Sequence, residues 1–158
     1  MAFDLSRFRE TKYQPRTGTV KVPALGGLFS EGSEPVFTVR GVTGQELGLI
    51  KEAEGKRRDA LQIAGRLMSA GGGEQKAEAV LEALGFNDKL APDTATRLEL
   101  LMVAAVDPKL ERKDAIKLCR TFPIEFYSVT TKILELTGQG QDPGESSGSG
   151  ETPPSEPR

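Results

Sequence analysis

The apolar positions of this chain fall into two periods. Near the N-terminus they alternate. In "EPVFTVRGV" (residues 34–42), Val36, Thr38 and Arg40 alternate with Phe37 and Val39, the period of two expected of a half-buried strand. The preceding "TGTVKVPAL" (17–25) has a similar β-like character, and "GGLFSEGSE" between the two is rich in turn formers. These segments predict a β-hairpin or small antiparallel sheet over residues 17–42. Such a pair is marginal by itself and needs helices against one face.

From Thr43 onward the period changes to that of helices. "TGQE" places Thr43 as an N-cap with Glu46 three residues later, a capping box. Leu47, Ile50, Ala53, Leu61, Ala64 and Leu67 or Met68 follow as an apolar face. Within "KEAEGKRRD", Glu52 with Lys56 and Glu54 with Arg58 have the i,i+4 spacing that supports an exposed helix, and Gly55 weakens or bends it there. Lys56-Arg57-Arg58 reads as a solvated face in preference to a phosphate-contacting patch. "SAGGGE" (69–74) breaks the chain. It lacks the preceding strand and the Gly-Lys-Ser/Thr ending of a phosphate-binding loop, so it reads as a C-cap and linker.

Three or four helices are expected after that. "EQKAEAVLEALG" carries Ala77, Val80, Leu81 and Leu84 on one side and stops at Gly85. "PDTATRLELLMVAAVDP" (92–108) starts near Asp93 and is apolar almost all round, which suits the middle of a bundle. "DPKLERKDAIKLCRTFP" supplies Leu110, Ala115, Ile116, Leu118 and Cys119, with Pro123 ending or restarting the helix. In the last periodic segment, Phe122, Phe126, Val129, Ile133 and Leu136 step by four, three, four and three, with Ile124 and Leu134 alongside. That seam is either a core stripe of its own bundle or a face for a partner's helix, and these five residues are the candidate partner-binding set. Thr137-Gly138 closes the helix, glycine taking the left-handed position. Beyond it, "DPGESSGSGETPPSEPR" has no large apolar residue and cannot offset its chain entropy, so a disordered acidic Gly/Ser/Pro tail is expected over 139–158.

Composition narrows the chemistry. With 158 residues, 37% hydrophobic and 28% charged, the chain fits one domain with a modest core plus tails. A formal charge of −2 argues against a general nucleic-acid binder, which would carry a basic excess. The arm formed by residues 1–16 does interleave Phe3, Phe8 and Tyr13 with Arg7, Arg9, Lys12 and Arg16, against Asp4 and Glu10. Such rings could stack on bases; packing on their own domain is the expectation taken. With no histidine, neither a Ser-His-Asp nor a Cys-His site can be built, nor an ordinary His-containing zinc site. The single cysteine, Cys119, cannot form an intramolecular disulfide and sits at helical spacing among apolar residues, as a small core residue would. No run approaches a membrane span and the N-terminus lacks a signal-peptide core. No catalytic, cofactor-binding or metal site is expected, nor any cofactor. A soluble, non-enzymatic protein is expected, with a mainly α (α+β) fold: an arm (1–16), a helical domain of about four to five helices led by the hairpin (17–138), and the tail.

The succession "VRGVTGQEL", a long charged helix, "LAPDTATRLELLMVAAVDP" and then "CRTFPIEFYSVTTKILELTGQGQ" resembles the tail assembly chaperones of long-tailed bacteriophages over residues 36–141. The resemblance rests on the order of weak motifs, ending in Phe-Pro, a further phenylalanine and Leu-Thr-Gly. It implies a non-catalytic helical protein that binds the tape measure protein in the host cytoplasm during assembly and is absent from the finished virion. It also implies a programmed frameshift near the end of the gene, giving a minor longer product that could reach the tail tube protein. Asp142-Pro143-Gly144 can be encoded by a slippery sequence and marks the candidate frameshift region. Self-association is left open, as is a rival role as a structural tail or head-tail connector component retained in the virion, or as a small regulatory adaptor.

Overall fold

A computed structural model describes residues 2–86, 89–138 and 140–141. The predicted hairpin is present. β2 (Thr17–Lys21) and β3 (Val36–Arg40) pair antiparallel, with Thr17 opposite Arg40 and Lys21 opposite Val36. The turn between them is longer than a tight hairpin loop and contains a 3-10 helix, Pro23–Leu28, whose Pro23 occupies the first turn where no N–H is needed. Gly18, Val20, Phe37 and Val39 lie on the inner side of the sheet, and Phe37 and Val39 are fully covered.

A third strand was not expected. The helix read through residues 92–108 ends earlier: α4 spans Pro92–Ala104, and Ala105–Asp107 forms β4, which pairs with β3 through a bulge beside Thr38 and Val39. The sheet order is therefore β2-β3-β4. Leaving the helix at Ala104 lets Ala105 continue the apolar inner face of the sheet, where it is 1% exposed.

Around the sheet lie α2 (Gly44–Ser69), α3 (Glu74–Ala83), α4, α5 (Arg112–Thr121) and α6 (Pro123–Leu136). α2 opens with the expected capping box: Glu46 N–H donates to Thr43 Oγ1 (3.2 Å) and Thr43 N–H to Glu46 Oε2 (2.8 Å). It runs through Gly55 unbroken. α4 contacts α2, α5 and α6, and buries Ala95, Leu98, Leu100, Leu101 and Ala104, the central position that its all-round apolar sequence requires. α6 closes the core from below the sheet, against β2, β3 and α4.

Two side-chain expectations change. Leu61, assigned to the inner face of α2, is exposed, while of the pair Leu67 or Met68 it is Leu67 that is half-buried and Met68 that is exposed. Arg57, read as solvated with its neighbours, is 4% exposed, its guanidinium 4.9 Å from the centre of the Phe86 ring. Phe86 follows α3, so the contact pins the α2–α3 hairpin by a cation–π stack that also lets the Arg stem cover apolar surface. The arm differs too. Residues Leu5–Glu10 form a short helix, α1, capped by Asp4, and no residue of it is buried. Its rings pack on one another, Phe3 to Phe8 at 5.4 Å and Phe8 to Tyr13 at 6.0 Å, and all three stay exposed where covering by the domain was expected.

β1 (Gln14–Pro15) pairs with β5 (Gly140–Gln141), which begins two residues beyond the boundary at 138 drawn from the sequence. The acidic tail otherwise lies outside the described residues, as does the Asp142-Pro143-Gly144 region.

Candidate partner-binding surface

The junction of α6 with the sheet is fixed by backbone proximity. Gly41 donates its N–H to Arg16 O (2.9 Å), and Val42 N–H donates to Thr137 Oγ1 (3.2 Å). A Cβ on Gly41 would stand 2.5 Å from Leu136 O, so only glycine lets the end of α6 approach this closely. Next to it, Arg40 forms a two-pronged pair with Glu46 (2.9 and 2.8 Å) and also donates to Val103 O (3.1 Å) and Gly41 O (3.0 Å). One arginine thus ties β3, the start of α2 and the end of α4 together. The Arg40 hydrogen bond is the main reason that the Glu46 carboxyl titrates at about 2, with Thr43 adding to it against the opposing effect of burial.

This geometry settles which way α6 faces. Four of the five residues proposed as a partner-binding stripe are core: Phe126, Val129 and Ile133 are 0% exposed and Leu136 is 6%. They are sealed by α4 and the sheet, so that expectation is corrected: these side chains are spent on the protein's own packing and are not presented to a partner. Phe122, at the α5–α6 junction, is half-buried. Thr130, also buried, is satisfied by donating to Phe126 O (2.9 Å) and accepting from Arg97 (3.0 Å), and that guanidinium lies 4.7 Å from the Tyr127 ring centre.

The opposite side of α6 is a different surface. Ile124 is 76% exposed, Tyr127 41% and Leu134 43%, at positions that share one helical face with Ser128, Thr131 and Glu135. An open groove of about 800 Å³ runs between this face and the edge strand β2, floored by Val20 and flanked by Lys21 and Lys132. β2 is the outermost strand of its sheet, so the groove joins an apolar helix face to a strand edge. Ile124 and Leu134 were visible in the sequence as apolar residues beside the seam; Tyr127 and the β2 wall were not, because they depend on how the helix is rotated against the sheet.

Other chemistry is sparse. Cys119 is half-buried, and burial raises its thiol pKa, against a smaller opposing effect of Arg120. A thiol so placed is a poor nucleophile. Among the described residues no three His, Cys, Asp or Glu side chains converge as a metal site would need, and no helix is long and apolar enough to cross a membrane. Comparison with family models, with curated proteins and with solved structures gives no match.

Proposed function

We propose that this chain is a phage tail assembly chaperone that binds the tape measure protein and keeps it soluble, using the outer face of α6 and the adjoining edge of β2. The observation that carries the reading is the second apolar row on α6: Ile124, Tyr127 and Leu134 remain in solvent although the same helix has already filled the core with its other side. A tape measure is a long helical rod whose apolar stripes lack partners until tube subunits surround it, and stripes of that size drive aggregation. A groove beside an apolar helix face accepts such a stripe without chemistry, and several copies along one rod gain avidity from individually weak contacts. The protein acts in the host cytoplasm and leaves before the virion is complete. A longer frameshifted product would extend from the pole where β1 meets β5.

Co-expression with a tape measure protein from the same genome tests the reading. The client's soluble fraction should rise in the presence of this chain, and Ile124→Asp should cut co-purification by about tenfold while leaving the melting curve in place. A client equally soluble with and without this chain ends the proposal. Stoichiometric recovery of the protein from purified particles would favour a structural tail component instead.

A further inference from the structure

The N-terminal arm and one recess of the domain are complementary, and they lie at opposite ends of the hairpin. The recess, about 520 Å³, opens between the long β2–β3 turn and α5, within the size range of sites that bury ligand-sized groups. Its walls are Leu25, Leu28, Phe29, Leu118 and Phe122, with Phe29 and Phe37 already packed at a 6.4 Å centroid distance. Leu28 stands at its lip, 78% exposed. Its polar rim carries Asp107 and Asp114 against a single cation, Lys117. Glu31 is exposed on the same turn, between Ser30 and Ser33, which both line the recess.

The arm offers the opposite. Phe3, Phe8 and Tyr13 form a row of touching rings, yet are 74%, 51% and 51% exposed, with Leu5 beside them at 48%. Arg7 and Arg9 flank the rings on α1, and neither forms an ion pair among the described residues. The arm as a whole is net basic on a chain that is net acidic. It leaves the sheet at Thr17, the end of β2 opposite Arg40, whereas the recess is built at Val36 and Phe37, near the end opposite Lys21. It is further held there by the Gln14–Gln141 and Pro15–Gly140 pairing. The protein's own arm is therefore attached at the end of the hairpin remote from its own recess.

We infer that the arm of one copy docks in the β2–β3 turn/α5 recess of a second copy, Phe3 and Phe8 extending the Phe29–Phe37 aromatic wall and Arg7 and Arg9 facing Asp107 and Asp114. The rings reach the interface already stacked, which lowers the ordering cost of binding. Exchange in both directions gives a closed two-fold dimer with two identical joints. This surface is separate from the α6–β2 groove, so the two proposals stand or fall independently.

Sedimentation equilibrium on the full chain tests it. Wild type should self-associate at about 100 μM, and more weakly at high salt, because the Arg–Asp contacts are screened. Phe8→Ser in the arm, and separately Leu28→Ser at the lip, should each weaken association by about tenfold; both side chains are largely in solvent, so circular dichroism should report an unchanged fold. A wild-type chain that stays monomeric overturns the inference, as does self-association that neither variant weakens.

Discussion

The inner and outer rows of α6 differ by less than half a turn of helix and have opposite fates. Inside, Phe126, Val129 and Ile133 are sealed against α4 and the sheet; outside, Ile124, Tyr127 and Leu134 meet water. Both rows are apolar, so hydrophobicity alone does not decide which one is core. The decision comes from the end of the helix. Gly41 admits the Leu136 backbone, Thr137 accepts from Val42, and the approach of α6 to β3 fixes its rotation. The comparison teaches that on a helix apolar on two sides, a single glycine just past the end of a neighbouring strand can determine which side is left in water.

The inner row can be broken most severely. Val129→Asp places an unpaired carboxylate where no water reaches, at a cost of several kcal/mol, comparable to the whole stability of a small domain. The expected result is loss of the cooperative thermal transition. A folded, stable Val129→Asp protein would mean that the two rows had been assigned the wrong way round.

Gly41→Ala attacks the device that sets the rotation. Its methyl group meets backbone of Leu136 and Thr137, which cannot step aside as a flexible side chain can. A loss of about 2 to 3 kcal/mol in urea unfolding is expected, as for an overpacked core, together with altered client binding because the outer row turns with the helix.

Glu46→Gln acts on the tie beside that junction and should cost about 1 to 2 kcal/mol at neutral pH. Folding lowers the Glu46 pKa to about 2. The wild-type advantage is therefore fully present above the unfolded value, near 4.3, and fades as pH falls through the folded one. Unfolding curves of the two proteins should converge between about pH 4 and pH 2. A difference that persists unchanged at pH 2 would assign the effect to packing.

The smallest effect on stability belongs to the outer row. Ile124→Ser should shift unfolding by no more than about 0.5 kcal/mol, since the side chain is already in solvent, and should show itself only in client recovery.

What the sequence conveyed follows the range of the forces involved. The hairpin strands, the Thr43–Glu46 box, the break at Gly71–Gly73 and the stop at Gly138 are local, and residues a few positions apart specify them. β4 was hidden because Ala104-Ala105-Val106 continues a helical pattern, and only pairing with Val39, distant in sequence, makes a strand of it. Arg57 was hidden because its partner, Phe86, is on another element. The seam of α6 was legible from its spacing. That it would be consumed by the core was not, since either alternative has the same period. The recess at Leu28 could not be anticipated, because "GGLFSEGSE" gives a turn but not what the turn leans on.

The place of α6 in the order of synthesis has its own consequence. It follows the other described helices in the chain, yet it supplies Phe126, Val129, Thr130 and Ile133 to the fully buried interior. Until Pro123–Leu136 has emerged, Leu98, Leu101 and Val39 lack the wall that covers them. The nascent chain must therefore wait, with its hairpin and first helices assembled but uncovered, and closes its core only once α6 has joined it. A fold built this way presents its outer apolar row only when its inner one has been put away, so that the row left in water is also a sign that the core beneath it has closed.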